Sequence, residues 1–124
     1  MVYRQAERID FTIETTPPMP LPRRVLMVSP DHFDVEYVIN PHMEGHVGQV
    51  DRALARRQWE ALRDTYRTLG FEVHVLDGVP GLPDMVFCAN QTLPFLREGG
   101  TRGVVLSRMH APQRRDEVPH IARF

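Results

Sequence analysis

Lysine is absent from the 124 residues, and all fifteen basic side chains are arginine. That bias is read first as one of genome composition. Sixteen acids nearly balance the arginines, for a formal net charge of -1. So small a charge gives no electrostatic case for nucleic acid or an anionic membrane as partner. Cysteine occurs once, as Cys88. One cysteine excludes an intrachain disulfide and a cysteine-based metal cluster, and fits a reducing, cytoplasmic setting. Long apolar runs are missing too: no window approaches the ~18 residues of a membrane span, and the N-terminus lacks the apolar core of a signal peptide. Neither GxGxxG nor a Walker glycine loop occurs, which removes the common dinucleotide and P-loop readings. Two of the six histidines, His42 and His46, stand four apart, but Pro41 and Gly45 oppose a helix there. Without HExxH or a third ligand at matching spacing they read as solvated loop residues, so neither metal nor cofactor is expected.

What is present is ordinary for one small domain with a core: 42% hydrophobic and 25% charged residues. Residues 1–24 are polar and then rich in proline (Pro17, Pro18, Pro20, Pro22), and read as a tail or extended arm. Val25-Leu26-Met27-Val28 is a strand whose unbroken apolar run predicts burial between layers. An irregular loop follows from Asp31 to Gly48, aromatic and small-polar in content. Asp51 can cap a helix that stops at Gly70. Ala55, Trp59, Leu62, Tyr66 and Leu69 fall on one stripe at ~100° per residue, and Arg56, Glu60, Arg63 and Asp64 are expected to face solvent. A strand over 71–76 then completes a strand-helix-strand unit, a parallel α/β signature. Apolar runs at 93–96 and 104–106 around Gly99-Gly100 predict a hairpin, and 116–124 the opening of a second helix with Pro119 in its first turn. The order suggests one and a half copies of a repeating unit.

The stretch Gly81-Leu82-Pro83-Asp84-Met85-Val86-Phe87-Cys88-Ala89-Asn90 organises the remainder. It reads as a proline-fixed turn presenting an acid, a strand entering the core, and an emerging amide. A straight strand would separate Asp84 and Asn90 by roughly 20 Å on one face, so only a bend or bulge could let both touch one small ligand. Read on spacing alone, Asp84 is a turn residue, Asn90 the end of a strand and Arg108 a surface charge. Cys88, flanked by Phe87 and Ala89 with nothing basic beside it, reads as a small buried core residue.

Three ordered motifs carry a resemblance: Phe33-Asp34-Val35-Glu36-Tyr37-Val38-Ile39-Asn40-Pro41-His42-Met43, the 51–70 helix with Gln58-Trp59, and the 81–90 stretch. Together they resemble the guanidino-group-modifying superfamily of arginine deiminases, dimethylarginine dimethylaminohydrolases, arginine dihydrolases and amidinotransferases. The likeness runs from Val25 to about Glu117. It implies an α/β fold, the five-bladed propeller (pentein) of ββαβ units, with about two units in residues 25–124 and a break inside the second helix. It also implies a mechanism in which a cysteine thiolate attacks the guanidino carbon to give a thiouronium intermediate, and a histidine acts as acid and base.

Carried onto this chain, the resemblance makes Asn40, Asp84, Asn90 and Arg108 substrate-binding residues. Asn40 contacts substrate from the first loop, Asp84 and Asn90 hold the guanidinium, and Arg108 grips the α-carboxylate. Dimethylarginine hydrolases tend to carry Glu-Asp where this chain has Ala89-Asn90. An amide cannot form an ion pair, which points toward the dihydrolase-like branch. The family's catalytic cysteine and histidine lie in later units, so Cys88 is not the nucleophile and no catalytic residue is expected here. The expected partners are a guanidino small molecule and a second chain, or a further copy through self-association. The alternatives are a catalytically inactive fragment or binding subunit, and an unrelated α/β binding module.

Overall fold

In the computed structural model of the protein, residues 2–3, 9–18 and 21–124 are described, apart from the side chains of Val2, Tyr3 and Glu98. The strands are β1 (Val2–Tyr3), β2 (Arg24–Val28), β3 (Glu72–Leu76), β4 (Thr92–Leu96) and β5 (Arg102–Leu106); the helices are α1 (Arg52–Thr68) and α2 (Glu117–Ala122). The fold is α/β.

Helix α1 starts and stops where its chemistry dictates. The Asp51 side chain accepts from the Leu54 N–H at 2.8 Å, satisfying one of the donors orphaned at a helix start. At the other end Gly70 turns to φ 82°, a left-handed conformation open to a residue without Cβ. Gly70 N–H then donates to Arg67 O (2.9 Å) and Phe71 N–H to Tyr66 O (3.0 Å), the paired bonds of a Schellman cap. The apolar contact that accompanies such a cap is here aromatic: Tyr66 and Phe71 meet edge to face with centroids 5.6 Å apart.

The helix bridges β2 and β3, which pair in parallel from Arg24↔Glu72 to Val28↔Leu76. Met27 and Val28 are both buried, so both faces of the second half of β2 are covered. β5 pairs antiparallel with β4 and parallel with β1, giving the order β1-β5-β4. Residues 2–3 of the N-terminal arm thus add a strand to the hairpin. Pro94, which cannot donate to a ladder, sits on the edge strand β4. Val28, Met85 and Ile121 form the buried centre, with Leu26, Leu76, Val79, Leu82 and Cys88 packed around it.

Two expectations are corrected. The α1 stripe packs only in part: Ala55, Trp59 and Tyr66 are half-buried, but Leu62 is 49% and Leu69 68% exposed. Arg63 joins Ala55, Trp59 and Tyr66 in place of the two leucines, which turns the buried face about 35° round the helix. The Arg63 guanidinium lies over the Trp59 ring, 5.5 Å from its centroid. Glu60 is likewise half-buried, contrary to the expectation of a solvent-facing residue. The second correction concerns residues 85–88, which are not a strand: Pro83–Val86 form a 3-10 turn.

Gly103 tests the hairpin. It faces Phe95 across the β4–β5 ladder, and a Cβ built on it would lie 2.3 Å from the Phe95 ring. Gly103→Ala should therefore displace the ring from its stack on Phe11 and destabilise the protein by about 1–3 kcal/mol in urea unfolding. Combining it with Phe95→Leu should cost less than the sum of the two single changes.

Candidate functional site

The 81–91 segment is a succession of tight turns. Leu82 N–H bonds Val79 O, Met85 N–H bonds Leu82 O, Phe87 N–H bonds Asp84 O and Asn90 N–H bonds Phe87 O, at 3.0–3.3 Å. Pro83 suits the first position of such a turn because its φ is preset and no N–H is needed there. The tight winding sends Met85 into the core, 2% exposed, and buries Asp84 to 4% exposure. A carboxylate removed from water needs partners. One oxygen of Asp84 accepts from the Tyr37 hydroxyl at 2.9 Å and lies 4.0 Å from Arg114 Nε.

Arg114 is the hub of the site. Its Nε donates to both oxygens of Glu117 (3.0 and 3.2 Å), and Nη2 donates to Glu117 Oε2 (2.9 Å). Nη2 also reaches the carbonyls of Asp84 (3.1 Å) and Phe87 (3.5 Å), and Nη1 donates to Asn90 Oδ1 at 3.2 Å. Glu117 and Gln91 are both 0% exposed, and Gln91 Nε2 donates to Glu117 Oε2. Five donors in a planar fork let one guanidinium fasten the turn, the amide and the start of α2 at once. Burial and the adjoining Asp84 carboxylate, to which the hydroxyl donates, push the Tyr37 phenol well above its ordinary range.

The structure brings two of the four expected site residues together. Asp84 and Asn90 share the Arg114 guanidinium, which a straight strand would forbid. Asn40 is exposed in the first loop, its Oδ1 accepting from His42 N–H at 2.9 Å as the cap of the turn Pro41–Met43. Tyr37, three residues earlier, ties that loop to Asp84. Arg108 is exposed and lines a cavity of about 840 Å³ between the end of β5 and α2, together with His110, Arg115 and Arg123. Among the described residues none of these three arginines lies within ion-pairing distance of a carboxylate. The cavity is therefore cationic.

Tyr37, Gln91, Arg114 and Glu117 were not singled out from the sequence. The one local signal is the three-residue spacing of Arg114 and Glu117, which on a helix usually marks an exposed pair. Cys88 is half-buried, with Sγ 3.2 Å from Leu26 O, and burial raises the pKa of its thiol. His42 and His46 are exposed loop residues. No helix among the described residues is long and apolar enough to cross a membrane.

Comparison with known proteins identifies the class: the chain is a homologue of arginine-modifying hydrolases and corresponds to part of their length. Over 97 residues it is 40% identical to the bifunctional arginine dihydrolase/ornithine cyclodeaminase ArgZ of Synechocystis sp., an alignment covering 78% of this chain and 13% of ArgZ. Over 88 residues it is 45% identical to the N(G),N(G)-dimethylarginine dimethylaminohydrolase of Mycobacterium tuberculosis, covering 71% of this chain and 28% of that enzyme. Among solved structures, the N-terminal domain of ArgZ bound to substrate matches with a TM-score of 0.73 at 39% identity, over 81% of this chain and 35% of that one. No family model matches the chain.

Two outcomes follow from this geometry. Tyr37→Phe removes a hydrogen bond to a buried carboxylate and should destabilise the protein by ~1.5–3 kcal/mol in chemical denaturation. Because the phenol pKa is raised by folding, the wild-type advantage should be complete below about pH 10 and be lost as pH rises through the folded value. Cys88 should react with a thiol reagent at neutral pH more slowly than free cysteine, and reach the free rate once denaturant is added.

Proposed function

We propose that this chain is the substrate-binding part of a guanidino-modifying C–N hydrolase or amidinotransferase acting on arginine or an arginine-like compound. Asp84 and Asn90 hold the planar group to be modified, Arg108 pairs with the α-carboxylate, and Asn40 closes over the ligand from the first loop. The reaction runs through a cysteine thiouronium intermediate, with the catalytic cysteine and histidine supplied by units outside these 124 residues. The chain forms about two ββαβ units of a five-unit propeller.

One observation carries the reading: the turn at Pro83–Val86 brings a buried carboxylate and an exposed amide to a single guanidinium within a scaffold homologous to arginine-modifying hydrolases. The cationic cavity beside Arg108 supports the placement of a carboxylate there. A second reading, a binding subunit that pairs with another chain, is favoured by apolar side chains left in water. Leu62, Leu69 and Leu93 are 49%, 68% and 67% exposed, and Val75 on β3 is 41% exposed.

Titration of the 15N-labelled chain with L-arginine should shift the signals of Asn90 and Arg108. Asp84→Ala should abolish the Asn90 shift, and ammonia release by the chain alone should be nil. Unshifted spectra at millimolar arginine would refute the binding role, and turnover by the chain alone would refute the division of labour.

A further inference from the structure

We infer that Arg114 is a specificity-determining positioning residue: it fixes the Asn90 amide with its oxygen turned inward, so that Asn90 offers its amino group to the ligand. The inference rests on the proposed role of Asp84 and Asn90 in holding the substrate, and names which form of the substrate the pair prefers.

Arg114 cannot easily move. Its side chain is 11% exposed and its Glu117 partner 0%. The two carbonyls it bonds, those of Asp84 and Phe87, lie within the same tight turn. A guanidinium has donors only, so whichever amide atom faces Nη1 must be an acceptor. With Oδ1 of Asn90 3.2 Å from Nη1, reversing the amide would set an NH₂ against an N–H. The orientation is therefore dictated by chemistry and not left to the exposed side chain. What Asn90 can direct away from Arg114 is its Nδ2 amino group, a double donor.

The pair that remains is one acceptor, the Asp84 carboxylate, and one donor, the Asn90 amino group. A guanidinium presents donors on every edge and fits only the first. A ureido group presents an NH₂ and a carbonyl, and fits both. The segment is thus better matched to the ureido compound, in which oxygen has replaced one guanidinium nitrogen, than to the guanidino compound itself. Such a preference would hold the ureido compound in place for a further hydrolysis.

The test measures affinities of the whole chain for L-arginine and its ureido counterpart L-citrulline by NMR titration, in wild type, Arg114→Lys and Asn90→Asp. Lysine keeps the charge but loses the fork. Arg114→Lys should move the citrulline-to-arginine affinity ratio toward arginine by about tenfold, the worth of one hydrogen bond. A purely structural role would weaken both ligands by the same factor. Asn90→Asp keeps an oxygen to accept from Arg114 Nη1 but removes the donor, and should move the ratio the same way, which keeps the test decisive if Arg114→Lys fails to fold. Unchanged ratios in the folded variants, with wild type binding normally, would overturn this inference alone. Wild type binding neither ligand would overturn the reading beneath it as well.

Discussion

The site depends on one buried ion pair. Glu117 has no exposure at all, and the Arg114 guanidinium that neutralises it is almost as deep. In such surroundings neither charge is tolerable alone; removing one partner of a buried pair typically costs ~3–5 kcal/mol. The pair does more than neutralise itself. Arg114 ends the 3-10 turn Pro112–Arg114 and Glu117 opens α2, whereas the groups they bind come from the turn at 84–90 and from Gln91. The same guanidinium therefore decides where the turn sits relative to the helix. Ile121, one turn further along α2, then meets Val28 and Met85 in the core.

The helix α1 was legible in the sequence because its signals are local. Asp51 and Gly70 act on backbone groups within a few residues, and those groups carry no tertiary information. The face that packs was less legible. Hydrophobicity alone ranks Leu62 above Arg63, yet the Arg63 guanidinium rests over the Trp59 ring while Leu62 is left half in water. The run Met85-Val86-Phe87-Cys88 misled for a related reason. A short apolar run has no period of its own, and the proline before it favours a tight turn as readily as a strand.

Of the site, the family motifs marked Asp84 and Asn90, and the bend they required is present as the 3-10 turn. The residues that hold them were invisible because they join positions 24 to 47 apart in the chain. Arginine and glutamate three residues apart are commonplace on solvated surfaces. Only the packing of α2 onto the turn changes that pair from trivial to essential. The α/β order and the hairpin, both set by neighbouring elements, followed from the sequence with little loss.

The Tyr37–Asp84–Arg114–Glu117–Gln91 chain of contacts also constrains how the protein can change over generations. Each member answers a charge or a polar atom on the next, so a single replacement strands a neighbour in a place water does not reach. Losing Arg114 uncovers Glu117; losing Glu117 frees a cation beside two carbonyls and leaves Gln91 without its acceptor. Drift at one position is therefore blocked unless others move with it. Physically the five side chains behave as one unit, and the low-cost way out of this arrangement is the exchange of several of them together for apolar residues of similar volume.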